Sequence, residues 1–181
     1  MMKFSVAITL AFGLALQVFA LPASELESRA AETCGYATVA LLRAYSRSAT
    51  DHFYTTNAAG LENAVANDGY RSEGDAAQVL PSEAPNTVPL FRMYSPAGTD
   101  HFYTTNAAEK NAAITTGGYV DEGIAAYVYP SNFCGSAPLF RMYSPKAADH
   151  FYTTNAAEKN AAITSDGYVD EGVAAYVNPS Q

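Results

Sequence analysis

The chain has no tryptophan, two cysteines and three histidines, and its ten lysines and arginines stand against eighteen acidic residues. Each shortage excludes something. Without tryptophan, an aromatic platform for a ligand falls to the thirteen tyrosines, whose rings offer an apolar face and a hydroxyl. The shortage of bases leaves a formal net charge of −8, which repels phosphate backbones and anionic lipid headgroups. Nucleic acid and anionic membranes are therefore poor partners, and neutral ligands, sugars above all, stay open. Two cysteines are too few and too far apart for a thiolate metal centre, and Cys34 and Cys134 read most simply as one disulfide in an oxidising compartment. No nucleophile elbow, His-Glu-x-x-His pair or phosphate loop is present. No full Asn-x-Ser/Thr sequon occurs either: Asn178 precedes proline, and Asn132-Phe-Cys is a weak variant.

What is present begins with "MMKFSVAITLAFGLALQVFA", Met1 to Ala20: an early lysine, a short uncharged apolar run and a small-residue cleavage site. That pattern predicts a secretory signal peptide over 1–20 and no membrane anchor after its removal. Its loss takes Lys3 with it, leaving nine bases against eighteen acids and a mature charge of −9. Residues 21–35 read as a flexible lead or short propeptide, and 36–181 as one domain.

Repetition governs that domain. "DHFYTTN" starts at Asp51, Asp100 and Asp149, so that His52, His101 and His150 are spaced by 49 residues. The units run over 41–81, 90–130 and 139–179; the second and third differ at seven of 41 positions, and the first keeps the frame but drifts. Within a unit, "LFRMYS" and "HFYTT" alternate as strands around the turn "PAGTD". "NAAEKNAAIT" is helical, with Asn106 or Asn155 as N-cap, Glu109 or Glu158 completing a capping box, and Gly118 or Gly167 as stop. "GIAAYVY" is a third strand. The expected fold is α+β: three β-β-α-β repeats of about 41 residues. One such unit cannot bury its own apolar face, which favours a closed pseudo-threefold arrangement. A disulfide between the nearly equivalent lead-ins to units one and three fits closure.

"MYSP…DHFYTTN" followed by "GYVDEGIAAYVY" resembles a secreted repeat family of uncharacterised function, found in small fungal secreted proteins and attached to bacterial extracellular proteins. The resemblance covers nearly everything from Leu41 onward. It implies an extracellular, non-catalytic module with a cell-surface or polysaccharide role, and it brings no established catalytic residues.

The repeated polar residues are the candidate site. Asp51, His52 and Tyr54, Asp100, His101 and Tyr103, and Asp149, His150 and Tyr152 could each grip a ligand. Equally, the aspartate could cap a hairpin turn and the histidine make a structural bond. Adjacent strand residues face opposite ways, so Asp51 and His52 do not aim at one ion, and neither a metal nor a cofactor is expected. Arg43 with Glu73, Arg92 with Glu122, and Arg141 with Glu171 read as structural ion pairs locking hairpin to third strand, or, with Tyr94, as a sugar cradle. A glycosidase needs two carboxylates, and Asp100 and Glu122 recur, yet identical neighbours in every copy argue against one asymmetric active centre. The leading expectation is a secreted, non-catalytic module binding polysaccharide or glycan at up to three equivalent sites. The alternatives are a structural or interaction protein, such as an effector or immunomodulator, with purely scaffold repeats, and a small extracellular hydrolase.

Overall fold

The computed structural model describes residues 34–179, so the expected signal peptide and most of the lead segment lie outside the described residues. Unit one forms β1 (Val39–Ser46), β2 (Asp51–Thr55), α1 (Ala58–Asn67) and β3 (Arg71–Val79). Unit two forms β4 (Val88–Ser95), β5 (Asp100–Thr104), α2 (Ala107–Thr115) and β6 (Val120–Val128). Unit three forms β7 (Ala137–Ser144), β8 (Asp149–Thr153), α3 (Ala156–Ser165) and β9 (Val169–Val177). Each unit is its own antiparallel sheet, in the orders β2-β1-β3, β5-β4-β6 and β8-β7-β9. The fold is α+β with three β-β-α-β repeats, as the repeated pattern predicts.

The hairpin register pairs Tyr45 with His52 and Ser46 with Asp51, and the other units follow suit. The residue ahead of each aspartate, Thr50, Thr99 or Ala148, turns the chain at a positive φ of 55–57°. The first strand departs from a half-buried alternation. Leu90 and Met93 are both fully buried and, being three apart, lie on opposite faces. Leu41, Leu90 and Leu139 enter a core shared by all units, whereas Ala44 and Met142 pack under their own helices with Ala64 and Ala162. All three units thus share one core, and units one and three each cover a second, local one. A bulge in the pairing to the third strand, with Gly123 at φ 85° and Gly74 and Gly172 alike, sets the preceding glutamate beside the arginine of the first strand.

The helix caps are as expected at one end of the motif and different at the other. Asn106 Oδ1 accepts from Ala108 N and Glu109 N at 2.9 and 3.2 Å. Glu109 does not reach back to complete a capping box; Asn106 N donates instead to Thr104 Oγ1 at 3.0 Å. The glutamate is drawn outward by an arginine of the next unit, as described below. Gly118 and Gly167 end α2 and α3 in the left-handed region.

The units close into a ring. Single β-bridges join Leu80 to Tyr127, Tyr129 to Tyr176 and Gln78 to Asn178, one for each pair of units. Thr56, Thr105 and Thr154 donate to the carbonyls of Ala125, Ala174 and Ala76, again one per junction. A single core of Leu41, Leu90, Leu139, Tyr54, Tyr103, Tyr152 and neighbouring alanines and valines runs through the middle. Cys34 and Cys134 form the expected disulfide, with Cα atoms 5.6 Å apart. No helix among the described residues is long and apolar enough to cross a membrane.

Candidate functional site

The "DHFYTTN" block lies on the innermost strand of each sheet, and its residues reach across to the next unit. Asp51 Oδ1 accepts from His101 N at 2.8 Å, and Asp51 Oδ2 accepts from His101 Nδ1 at 2.7 Å. Asp100 holds His150 in the same way, at 2.8 and 2.6 Å. Asp149 holds His52, at 2.9 and 2.7 Å. A carboxylate only accepts, so each Nδ1 carries the hydrogen and each Nε2 is left for another partner. The second oxygen of each aspartate also accepts a tyrosine hydroxyl from its own unit, Tyr70, Tyr119 or Tyr168. Burial and then the adjacent carboxylate push Tyr70 up, and the same influences raise Tyr119 and Tyr168.

Nearer the core, the next tyrosines form a second cycle. Tyr103 OH donates to Tyr54 O, Tyr152 OH to Tyr103 O and Tyr54 OH to Tyr152 O, at 2.7, 2.8 and 2.7 Å. Each hydroxyl in turn accepts the backbone N–H of the residue whose carbonyl it meets: Tyr54 N, Tyr103 N and Tyr152 N, at 2.8–2.9 Å. The rings meet edge to face with centroids 5.5 Å apart. Burial lifts all three hydroxyls above the ordinary tyrosine range.

Of the nine residues expected to bind ligand, six are therefore engaged in these cycles: the aspartates are at most 1% exposed and the tyrosines 1%. They present nothing to a ligand outside. The aspartates bring carboxylate oxygens within 4.8 Å of one another, but every oxygen already accepts a hydrogen bond. Only the histidines show an edge to the outside.

At each junction the histidine lies between a tyrosine of its own unit and a phenylalanine of the neighbour. His52 is 4.5 Å from Tyr45 and 4.6 Å from Phe151; His101 is 4.7 Å from Tyr94 and 4.9 Å from Phe53; His150 is 4.6 Å from both Tyr143 and Phe102. The free Nε2 of His101 lies 3.7 Å from Glu122, as does that of His150 from Glu171. The expected arginine–glutamate contacts are present: Arg43, Arg92 and Arg141 hold Glu73, Glu122 and Glu171 with Nε–Oε2 distances of 2.8 Å. These contacts lie off the N–H axis, so they act as ion pairs more than as directed hydrogen bonds. Each guanidinium also sits over the neighbour's phenylalanine, at 5.2–5.4 Å.

Two junctions open outward as concave grooves. Between units three and one, Tyr45, His52, Glu73, Phe151 and Tyr168 line a cavity of about 620 Å³. Between units one and two, Tyr94, His101, Glu122, Phe53 and Tyr70 line one of about 420 Å³. Arg92, Tyr94 and Glu122, read from sequence as a possible sugar cradle, are thus brought together with His101.

Sequence reasoning missed the tyrosines of the third strand's approach, Tyr70, Tyr119 and Tyr168, although their 49-residue spacing was there to be read. It also placed Glu109 and Glu158 in capping boxes. Glu158 accepts from Arg43 Nη1 and Nη2 at 3.1 and 3.0 Å, and Glu109 from Arg141 at 3.0 and 2.9 Å. Burial alone would push both carboxyls up; the hydrogen bonds from the arginine and from Thr153 or Thr104 outweigh it and hold them below the usual range.

Residues 40–178, nearly the whole ring, match the family model described as Domain of unknown function (DUF5648). The chain belongs to the DUF5648 family. None of the curated proteins and no solved structure matches it. Membership in DUF5648 brings no activity with it, and the function of this DUF5648 domain has to be argued from the grooves.

Proposed function

We propose that this DUF5648 protein is a secreted, non-catalytic binding module that takes carbohydrate in the grooves between its units. The observation that supports this most directly is the make-up of those grooves. A tyrosine face, a histidine Nε2 edge and a glutamate carboxylate converge in open concavities of about 620 and 420 Å³. Sugar recognition asks for an apolar face for ring CH groups and planar acceptors or donors for hydroxyls, and these side chains supply both. Tyr143, His150 and Glu171 repeat the set at the third junction. Three weak sites on one rigid ring gain by avidity on a polymer or a glycan-coated surface. A disulfide spanning 100 residues accords with an oxidising extracellular setting. Support for a non-catalytic role comes from Asp100, the carboxylate a glycosidase would have to free, which is buried and accepts from His150 and Tyr119.

The rival reading, a protein-binding scaffold, draws on one observation. Val120, Ile124, Val169 and Val173 are 45–55% exposed on β6 and β9, where unit one carries Arg71 and Asp75. A glycan array, with pulldowns on insoluble chitin, glucan and peptidoglycan, separates the two. Binding that falls stepwise as Tyr45, Tyr94 and Tyr143 are changed to alanine singly and then together is the expected result. A folded protein that binds none of these carbohydrates sinks the reading and leaves the valine face as the surface to probe.

A further inference from the structure

The three junctions are built from equivalent residues with one consequential exception. At two of them a helix glutamate closes on the arginine fork of the next unit: Glu158 on Arg43 and Glu109 on Arg141, each through two hydrogen bonds of 2.9–3.1 Å. Thr153 and Thr104 donate their hydroxyls to the same carboxylates. At the junction of units one and two, the equivalent of Glu109 and Glu158 is Gly60.

The donors are still there. Arg92 keeps its contact with Glu122 at 2.8 Å and its seat over Phe53 at 5.3 Å. Among the described residues, no acceptor meets its Nη1 or Nη2. Thr55, 5% exposed, accepts from Asn57 N as its counterparts do, but its hydroxyl has no carboxylate to donate to. The place is not filled by repacking. It opens into the groove of about 420 Å³, whose lining includes Gly60, Arg92, Tyr94, Tyr70 and His101. Nor does packing forbid a side chain at position 60, where the three atoms nearest an added Cβ belong to the Asn57 side chain, at ordinary contact distances of 3.5–3.6 Å.

The sister junctions show what such a site accepts. Arg43 holds two carboxylates at once, Glu73 on Nε and Glu158 on the Nη pair, so Glu122 beside Arg92 does not bar a second anion. A planar two-oxygen acceptor lying along the fork is the geometry that both sister pairs adopt. We propose that the junction of units one and two is a carboxylate-binding site, and that its ligand carries that carboxylate on an acidic sugar whose ring lies against Tyr94 and Tyr70. The carboxylate half stands on the comparison of junctions alone; the sugar half rests on the carbohydrate reading above. The protein then carries one acid-selective groove, while at the other two junctions the acid position is occupied by its own glutamates.

The test is a titration of the purified protein with acetate, glucuronate and neutral methyl glucoside, following arginine Nε–Hε signals by NMR. Glucuronate should shift Arg92 saturably and bind at least about tenfold more tightly than acetate, with methyl glucoside leaving that signal unmoved. Gly60→Glu supplies an internal carboxylate and should abolish the shift while keeping the fold; Arg92→Met, which removes that signal, should abolish glucuronate binding measured by isothermal calorimetry. Glu158→Gly should create a second responsive arginine, Arg43. An Arg92 signal that responds to neither acid, or that responds equally in Gly60→Glu, overturns the site. Acetate binding as tightly as glucuronate overturns the sugar as its ligand while leaving neutral glycan binding at the other grooves to be judged by the array.

Discussion

The inner cycles and the outer rim of the same three junctions have been treated differently by sequence drift. Inside, Asp–His–Tyr bonding is repeated at all three junctions with distances that agree within 0.2 Å. Outside, two arginine forks are closed by glutamate and one faces a glycine. The difference follows from burial. An inner oxygen or N–H that loses its partner has no water to turn to, at a cost of about 1–3 kcal/mol per group. The rim glutamates are 36% exposed, so solvent replaces a missing carboxylate at small cost. A polar network buried on all sides is held in step, whereas a half-exposed one can lose a member in one copy.

The sharpest way to break that comparison is to remove an inner aspartate. Asp51→Ala strands His101 N and Nδ1 and the Tyr70 hydroxyl, and should cost about 3–5 kcal/mol in urea unfolding. Asp100→Ala and Asp149→Ala should cost the same within error; unequal losses would show that the cycle is not symmetric in energy. Smaller is Tyr54→Phe, which leaves Tyr152 O and Tyr152 N unpaired in the core and should cost about 2–4 kcal/mol, again alike at Tyr103 and Tyr152. Smallest are the rim changes, and these should differ in sign. Glu158→Gln should lose about 1 kcal/mol, and Gly60→Glu should gain about 0.5 kcal/mol at neutral pH. Because Glu109 and Glu158 are held below the ordinary carboxyl range, their contribution is full above roughly pH 4.3 and is lost as pH falls through their folded values. Acid titration of stability should therefore be shallower in Glu158→Gln and steeper in Gly60→Glu. Parallel curves would mean that the rim pairs are electrostatically silent.

Much of the fold was legible because the evidence for it is local and repeated. The turn before Asp51, the Asn106 cap and the Gly118 stop are each set by a few adjacent residues. The pairing of Cys34 with Cys134 was legible from number and context, and that of Arg92 with Glu122 from the scarcity of charge on their strands. What sequence left undecided was the partner of Asp51. A strand residue shows which face it occupies but not which unit that face meets, and the aspartate turned out to serve the neighbour's histidine rather than its own turn. For the same reason Glu109 looked like half of a capping box: the helix alone offers it only Asn106 N, and the competing Arg141 lies 32 residues away. The grooves were hidden altogether, since they exist only between units.

The closed ring also has a consequence in time. Two of its inner junctions join residues 50 apart in the chain, Asp51 with His101 and Asp100 with His150, but the third joins His52 to Asp149 across 97. The first two can form as each unit is completed. The last must wait for unit three, and until then His52 and the hydroxyl of Tyr54 have no partners from the third unit. Long-range closure of this kind slows folding relative to a chain of neighbouring contacts. A fragment holding the first two units would keep one of the three junctions, Asp51 with His101, and would thus hold much less than two thirds of the stability of the closed ring.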